Sequence, residues 1–135
     1  MPDHLRATED RLLAELAEAA RGPKRNALFA LWLVVRHCDG ALPPAALSER
    51  ACSARLGGLE HRLSSLSLPA PLRRALPACL RELRAGQPAR ITGALQQLAA
   101  PAREGVGPAA ADALGAGARA ARRSTRERSQ AEGKT

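Results

Sequence analysis

Tyrosine is absent, and Phe29 and Trp32 are the only aromatic residues among 135. β-Branched residues are nearly as scarce: Val34, Val35, Val106, Ile91 and four threonines. Antiparallel sandwiches and barrels are built largely from these two classes, so the composition argues against a β fold. Alanine and leucine stand in their place, and both are strong helix formers. Long apolar runs are also missing. The longest, Ala27–Val35, has nine residues, whereas a membrane span needs roughly 20. Cysteine is limited to Cys38, Cys52 and Cys79, an odd number with no CxxC spacing. That pattern is not a disulfide scaffold, and a reducing compartment is its simplest home. The N-terminal run MPDHLRATEDRLL has acids where a signal peptide needs a basic start followed by an apolar stretch. The expected location is cytoplasmic.

Acidic side chains are in deficit, 13 against 21 lysines and arginines, for a net charge of +8. Such a balance suggests anionic partners. The excess is uneven. Residues 1–118 hold 15 basic and 11 acidic side chains, while residues 119–135 hold six and two. Half of the net charge therefore falls in the last 17 residues.

Apolar periodicity predicts an all-α protein of five or six short helices in a compact bundle. The first helix spans 3–21, with Leu5, Leu12 and Leu16 on one stripe and Pro2-Asp3 or Thr8 as candidate caps. The second, 24–38, is apolar on every side, so it belongs at the centre of a bundle or partly under a second chain. Leu31, Trp32 and Leu33 are its expected core contacts, and Asp39-Gly40 its expected left-handed stop. The third, 44–67, aligns Cys52, Leu56, Leu59, Leu63 and Leu66 and carries Gly57-Gly58, which predict a weakened but continuous helix. The fourth, 70–85, aligns Leu72, Leu76, Cys79 and Leu83 and contains Pro77. A fifth, 88–100, buries Ile91, Leu95 and Leu98. Beyond Gly105-Val-Gly-Pro108, an Ala/Gly helix over 108–122 buries little area and needs a close-fitting cover. The expected organisation is a helical domain over 1–122 and a disordered basic tail over 123–135.

No catalytic motif is present: no GxSxG, no phosphate-binding loop, no GxGxxG and no paired carboxylates. His37 and Cys38 are helix neighbours facing ~100° apart, which is not a dyad geometry. Ser64 and Ser65 have His61 within helical reach but only Glu60 to orient it. His37, Cys38, Asp39, Cys52, His61 and Cys79 make a poor metal set, since Cys52 and His61 lie ~180° apart on one helix and Cys52 and Cys79 sit on leucine stripes. The expectation is a non-enzyme without a cofactor or metal.

Candidate binding residues are cations and alanines. Lys24 and Arg25 open the second helix beside free backbone N–H groups that suit an anion. Arg73, Arg74, Arg81 and Arg84 line one face of the fourth helix, and Arg119, Arg122, Arg123 and Arg126 cluster near the C-terminus. These suit phosphate geometry but have no aromatic neighbours for stacking on bases, so any nucleic-acid binding is sequence-tolerant. Ala109, Ala113 and Ala116 form a candidate partner interface on the last helix.

Leu68-Pro69, Arg73, Leu80-Arg81-Glu82-Leu83, Gly86, Ile91 and Leu95 together resemble the fourth region of bacterial sigma factors. That resemblance implies a helix-turn-helix that reads promoter DNA. It stops at residue 95: Thr92 stands at the small-residue position, and Pro101 and Gly105–Pro108 follow in place of a recognition helix. The residues favour instead a non-enzymatic helical module for protein–protein interaction or regulation, its partner another protein or a second copy. Sequence-tolerant nucleic-acid binding is the alternative.

Overall fold

The computed structural model describes residues 5–41, 48–84 and 88–133, with side chains throughout except at Glu49, Cys52, Pro88 and 124–133. Within these residues the protein is all-α, with six helices and no strand. They are α1 (Arg6–Glu18), α2 (Pro23–Ala41), α3 (Glu49–Ser64), α4 (Ala70–Arg84), α5 (Pro88–Gly105) and α6 (Pro108–Gly133). Each helix packs on the next in sequence, and α6 returns to pack on α1. α2 and α5 meet across the middle, so the second helix shares the centre with the fifth.

The stripes expected from the sequence form this core. Leu5, Leu12, Leu28, Leu31, Val34, Val35, Leu72, Leu95, Leu98 and Leu114 are all fully enclosed. Trp32 differs from its two neighbours: Leu31 and Leu33 are buried, but Trp32 only packs against the edge of the core. Thr8 is not a cap. It is buried inside α1, and its hydroxyl donates to the Ala113 carbonyl of α6 at 3.2 Å. α1 approaches α6 closely here, because a Cβ on Gly117 would lie 3.0 Å from the Thr8 hydroxyl.

Two glycines make the sharp turns, Gly22 at φ 143° and Gly107 at φ 153°, a region other residues rarely enter. A proline follows each as the first helical residue, where its missing N–H costs nothing. The expected stop at Asp39-Gly40 does not occur. α2 runs on to Ala41, and Gly40 serves a close approach instead: the Arg55 guanidinium lies 2.7 Å from where its Cβ would be. α3 starts at Ser48, whose hydroxyl accepts the Ala51 N–H at 3.1 Å. It ends where Ser64 and Ser65 donate to the carbonyls of His61 and Arg62, at 2.7 and 2.8 Å. Such local bonds compete with the helix ladder. Gly57 and Gly58 leave α3 continuous, and no neighbour covers either of them.

α5 passes its expected end at residue 100 and carries Pro101 as far as Gly105. Proline's φ is already helical, and the carbonyl it leaves unbonded belongs to Gln97, an exposed residue. Fully buried Ala102 holds the extra turn against the core. The alanine face of α6 finds its cover within the chain, since α5 and α1 enclose Ala110, Ala113, Ala118 and Ala121. No side chain beyond Arg123 is described, so the basic tail falls outside the described side chains.

Candidate functional site

One face of α2 repeats at three- and four-residue spacing: Phe29, Trp32, Leu33 and Arg36. Phe29 and Trp32 are both half-buried and stack with ring centroids 6.0 Å apart at 19°. The Arg36 guanidinium lies 5.2 Å over the Trp32 ring, and Arg62 of α3 lies 5.6 Å over Phe29. The result is a continuous row of guanidinium, indole, phenyl and guanidinium. Cation–π contacts hold it, each worth about 0.5–1 kcal/mol at an exposed site. Trp32 Nε1 is buried there without an acceptor among the described residues.

Beside this row a cleft of about 260 Å³ opens between α2 and α3. Arg36, Arg55 and Arg62 line it, with His37 inside, Leu33 and Leu59 as apolar walls, and Gly58. Among the described residues, no carboxylate lines the cleft. None of the three arginines makes an ion pair with a carboxylate among the described residues. His37 is 5% exposed and has no hydrogen-bond partner among the described residues. Burial, and then the nearby Arg55 charge, hold its imidazole below the ordinary histidine range. Gly58 leaves open space where a side chain would otherwise stand.

A second cleft, about 420 Å³, lies on the α1 side of the row and carries both signs of charge. Arg6, Arg36 and Arg55 meet Glu9, Asp10 and Asp39 there, and 40%-exposed Leu13 adds an apolar edge beside Trp32. Glu9 is pushed up to about 7, first by burial and then by the facing Asp39 carboxylate.

The residues singled out from sequence fall in separate places. Lys24 and Arg25 are exposed on the first turn of α2. Arg73, Arg74, Arg81 and Arg84 are exposed on one side of α4, and Arg84 is bonded to Glu60 of α3. Arg119, Arg122 and Arg123 are exposed on α6, and the Arg126 side chain lies outside the described residues. α4 and α6 each pack on α5 and not substantially on one another, so their arginines do not share one packed face. The three alanines do not form an open interface. Ala113 is 1% exposed within this chain, Ala116 is half-buried and Ala109 is exposed.

The residues weighed for chemistry are likewise apart. Ser64 bonds the His61 carbonyl and not its imidazole, while Glu60 is engaged by Arg84. Cys38 and Cys79 are free, buried thiols. Burial raises Cys38 well above the ordinary thiol range and Cys79 to about 12, so neither is a ready nucleophile. The Cys52 side chain lies outside the described residues. Among the described residues, no three of His, Cys, Asp and Glu come together as a metal site.

Sequence reasoning missed the cleft residues Arg36, Arg55 and Arg62, and weighed His37 only with Cys38 and the metal set. Part of the signal was legible, since Arg36 follows Trp32 by four residues and Arg55 precedes Arg62 by seven. The facing of α2 and α3 was not. No family model, curated protein or solved structure matches this chain.

Proposed function

We propose that this chain is a non-enzymatic helical interaction module whose protein partner docks on the α2–α3 face. The observation that supports this most is the half-buried Phe29–Trp32 pair under Arg36 and Arg62. Tryptophan, phenylalanine and arginine are the residue types enriched at interface centres. Neither guanidinium makes an ion pair with a carboxylate among the described residues, which suits an acidic partner. A second copy of the chain would set the same arginines against each other. A cytoplasmic setting belongs to this proposal, because Cys38 and Cys79 are free thiols.

Sequence-tolerant nucleic-acid binding is the second reading. Arg73, Arg74 and Arg81 favour it, being exposed on one ~100° arc of α4 without a carboxylate partner among the described residues. The test is the native particle isolated through the tagged full chain, with its mass and its absorbance ratio measured. The interaction reading expects a stoichiometric protein lost on Arg36→Gln with Arg62→Gln and retained on Arg73→Gln with Arg74→Gln and Arg81→Gln. Nucleic acid lost only in the second set would replace it.

A further inference from the structure

We infer that the cleft between α2 and α3 receives a glutamate or aspartate side chain from an acidic, leucine-bearing segment of the partner. This rests on the interaction reading above and names the chemistry of its partner. Arg36, Arg55 and Arg62 all line this recess, and among the described residues no carboxylate lines it. Three cationic side chains around one recess favour an anion in it, and arginine's fork matches a carboxylate in two-point geometry.

Two independent features mark the recess as a receptor. His37 lines it with no hydrogen-bond partner among the described residues, and its ring nitrogens are not among the atoms enclosed without a partner, so an imidazole nitrogen is open to a ligand. Its ring N–H can donate to an incoming carboxylate oxygen. Gly58 holds the recess open: it sits inside α3, a poor place for glycine, and nothing lies within 4 Å of where its Cβ would be.

The choice of a carboxylate over a nucleic-acid phosphate follows from the walls. Leu33 and Leu59 are apolar and suit the methylene stem of an acidic side chain. Guanidiniums already lie over Phe29 and Trp32, so bases find no free ring to stack on. A leucine next to the acid in the partner would extend along the exposed edge of the same row, toward Leu13.

Trp32 is the sole tryptophan, so its fluorescence reports directly on this face. The probes are a blocked peptide alternating glutamate and leucine, its glutamine counterpart, and a single-stranded oligonucleotide. The glutamate peptide should change Trp32 emission saturably and shift the His37 imidazole resonances. The glutamine peptide should bind at least about tenfold more weakly. Arg55→Gln and Arg62→Gln should each weaken binding about tenfold with an unchanged melting temperature, since both side chains are exposed. Gly58→Leu should abolish binding while the melting temperature holds or rises. Equal binding by Gly58→Leu and the arginine variants would overturn the cleft assignment, and the interaction reading would stand if the native partner still depended on Arg36 and Arg62. An oligonucleotide that displaced the peptide and shifted His37 would overturn both.

Discussion

Glu9 of α1 faces Asp39 of α2 carboxyl to carboxyl, and burial first, then this facing carboxylate, push Glu9 up to about 7. Glu9 is 8% exposed, so its charged form is poorly solvated. Its folded value exceeds the unfolded value of 4.5, so between about 4.5 and 7 the folded chain holds a proton that the unfolded chain has released. Stability from this pair is therefore complete below the unfolded value and is lost as pH rises through the folded one. Glu9→Gln should flatten the melting temperature between pH 5 and 8 and raise it at pH 8. A variant that melts lower than the parent at both pH values would show that the carboxyl pair is not the strained element.

The glycines separate cleanly by what surrounds them. Gly57→Ala adds a methyl group where nothing lies within 4 Å, so it should stabilise the protein by about 1 kcal/mol through helix propensity. Gly117→Ala brings its methyl to 3.0 Å from the Thr8 hydroxyl and 3.3 Å from its methyl. That should push α1 off α6, outweigh the same propensity gain and lower the denaturation midpoint. Equal shifts for the two variants would mean that the α1–α6 approach is not tight.

Trp32 and Leu31 adjoin in sequence but not in role. Leu31→Ala empties a fully enclosed position and should cost about 2–5 kcal/mol. Trp32→Phe removes a buried N–H that has no acceptor among the described residues, relieving about 1–3 kcal/mol against the loss of ring contact. Its stability should match or exceed that of the parent, measured by chemical denaturation, while partner binding falls.

Both described thiols should resist modification in the folded protein. In a Cys52→Ser background, a thiol-specific reagent should label neither Cys38 nor Cys79 below the denaturation midpoint and both above it. Labelling of either in native buffer at a rate independent of denaturant would show access that the packing does not provide.

The basic C-terminus is tested by cutting after Arg123 and not before Arg119, because Ala120 and Ala121 belong to the core. The shortened chain should melt like the parent and keep its protein partner in moderate salt. If nucleic acid is the true ligand, log affinity should instead fall with log salt at about −0.9 per phosphate contact on a duplex. Removing Arg73, Arg74 and Arg81 should then flatten that slope.

Periodicity alone was enough for the helices. Leucine stripes on α1, α3, α4 and α5 lie at fixed angles about each axis, so their buried faces follow from spacing whatever they pack against. The turns at Gly22 and Gly107 were legible for the same local reason, a glycine before a helix-opening proline. Pro101 and Gly40 misled, because both are permitted inside a helix when packing holds the next turn, and packing is not local. The alanine face of α6 was readable as a surface needing a cover, but only the return of α6 onto α1, through Thr8 and Gly117, showed that the cover lies within the chain. The arginine-lined cleft was beyond sequence altogether. Arg36 and His37 meet Arg55 and Arg62 across two helices, and which faces of two helices oppose one another is decided by the joint burial of all six stripes, a property no single segment carries.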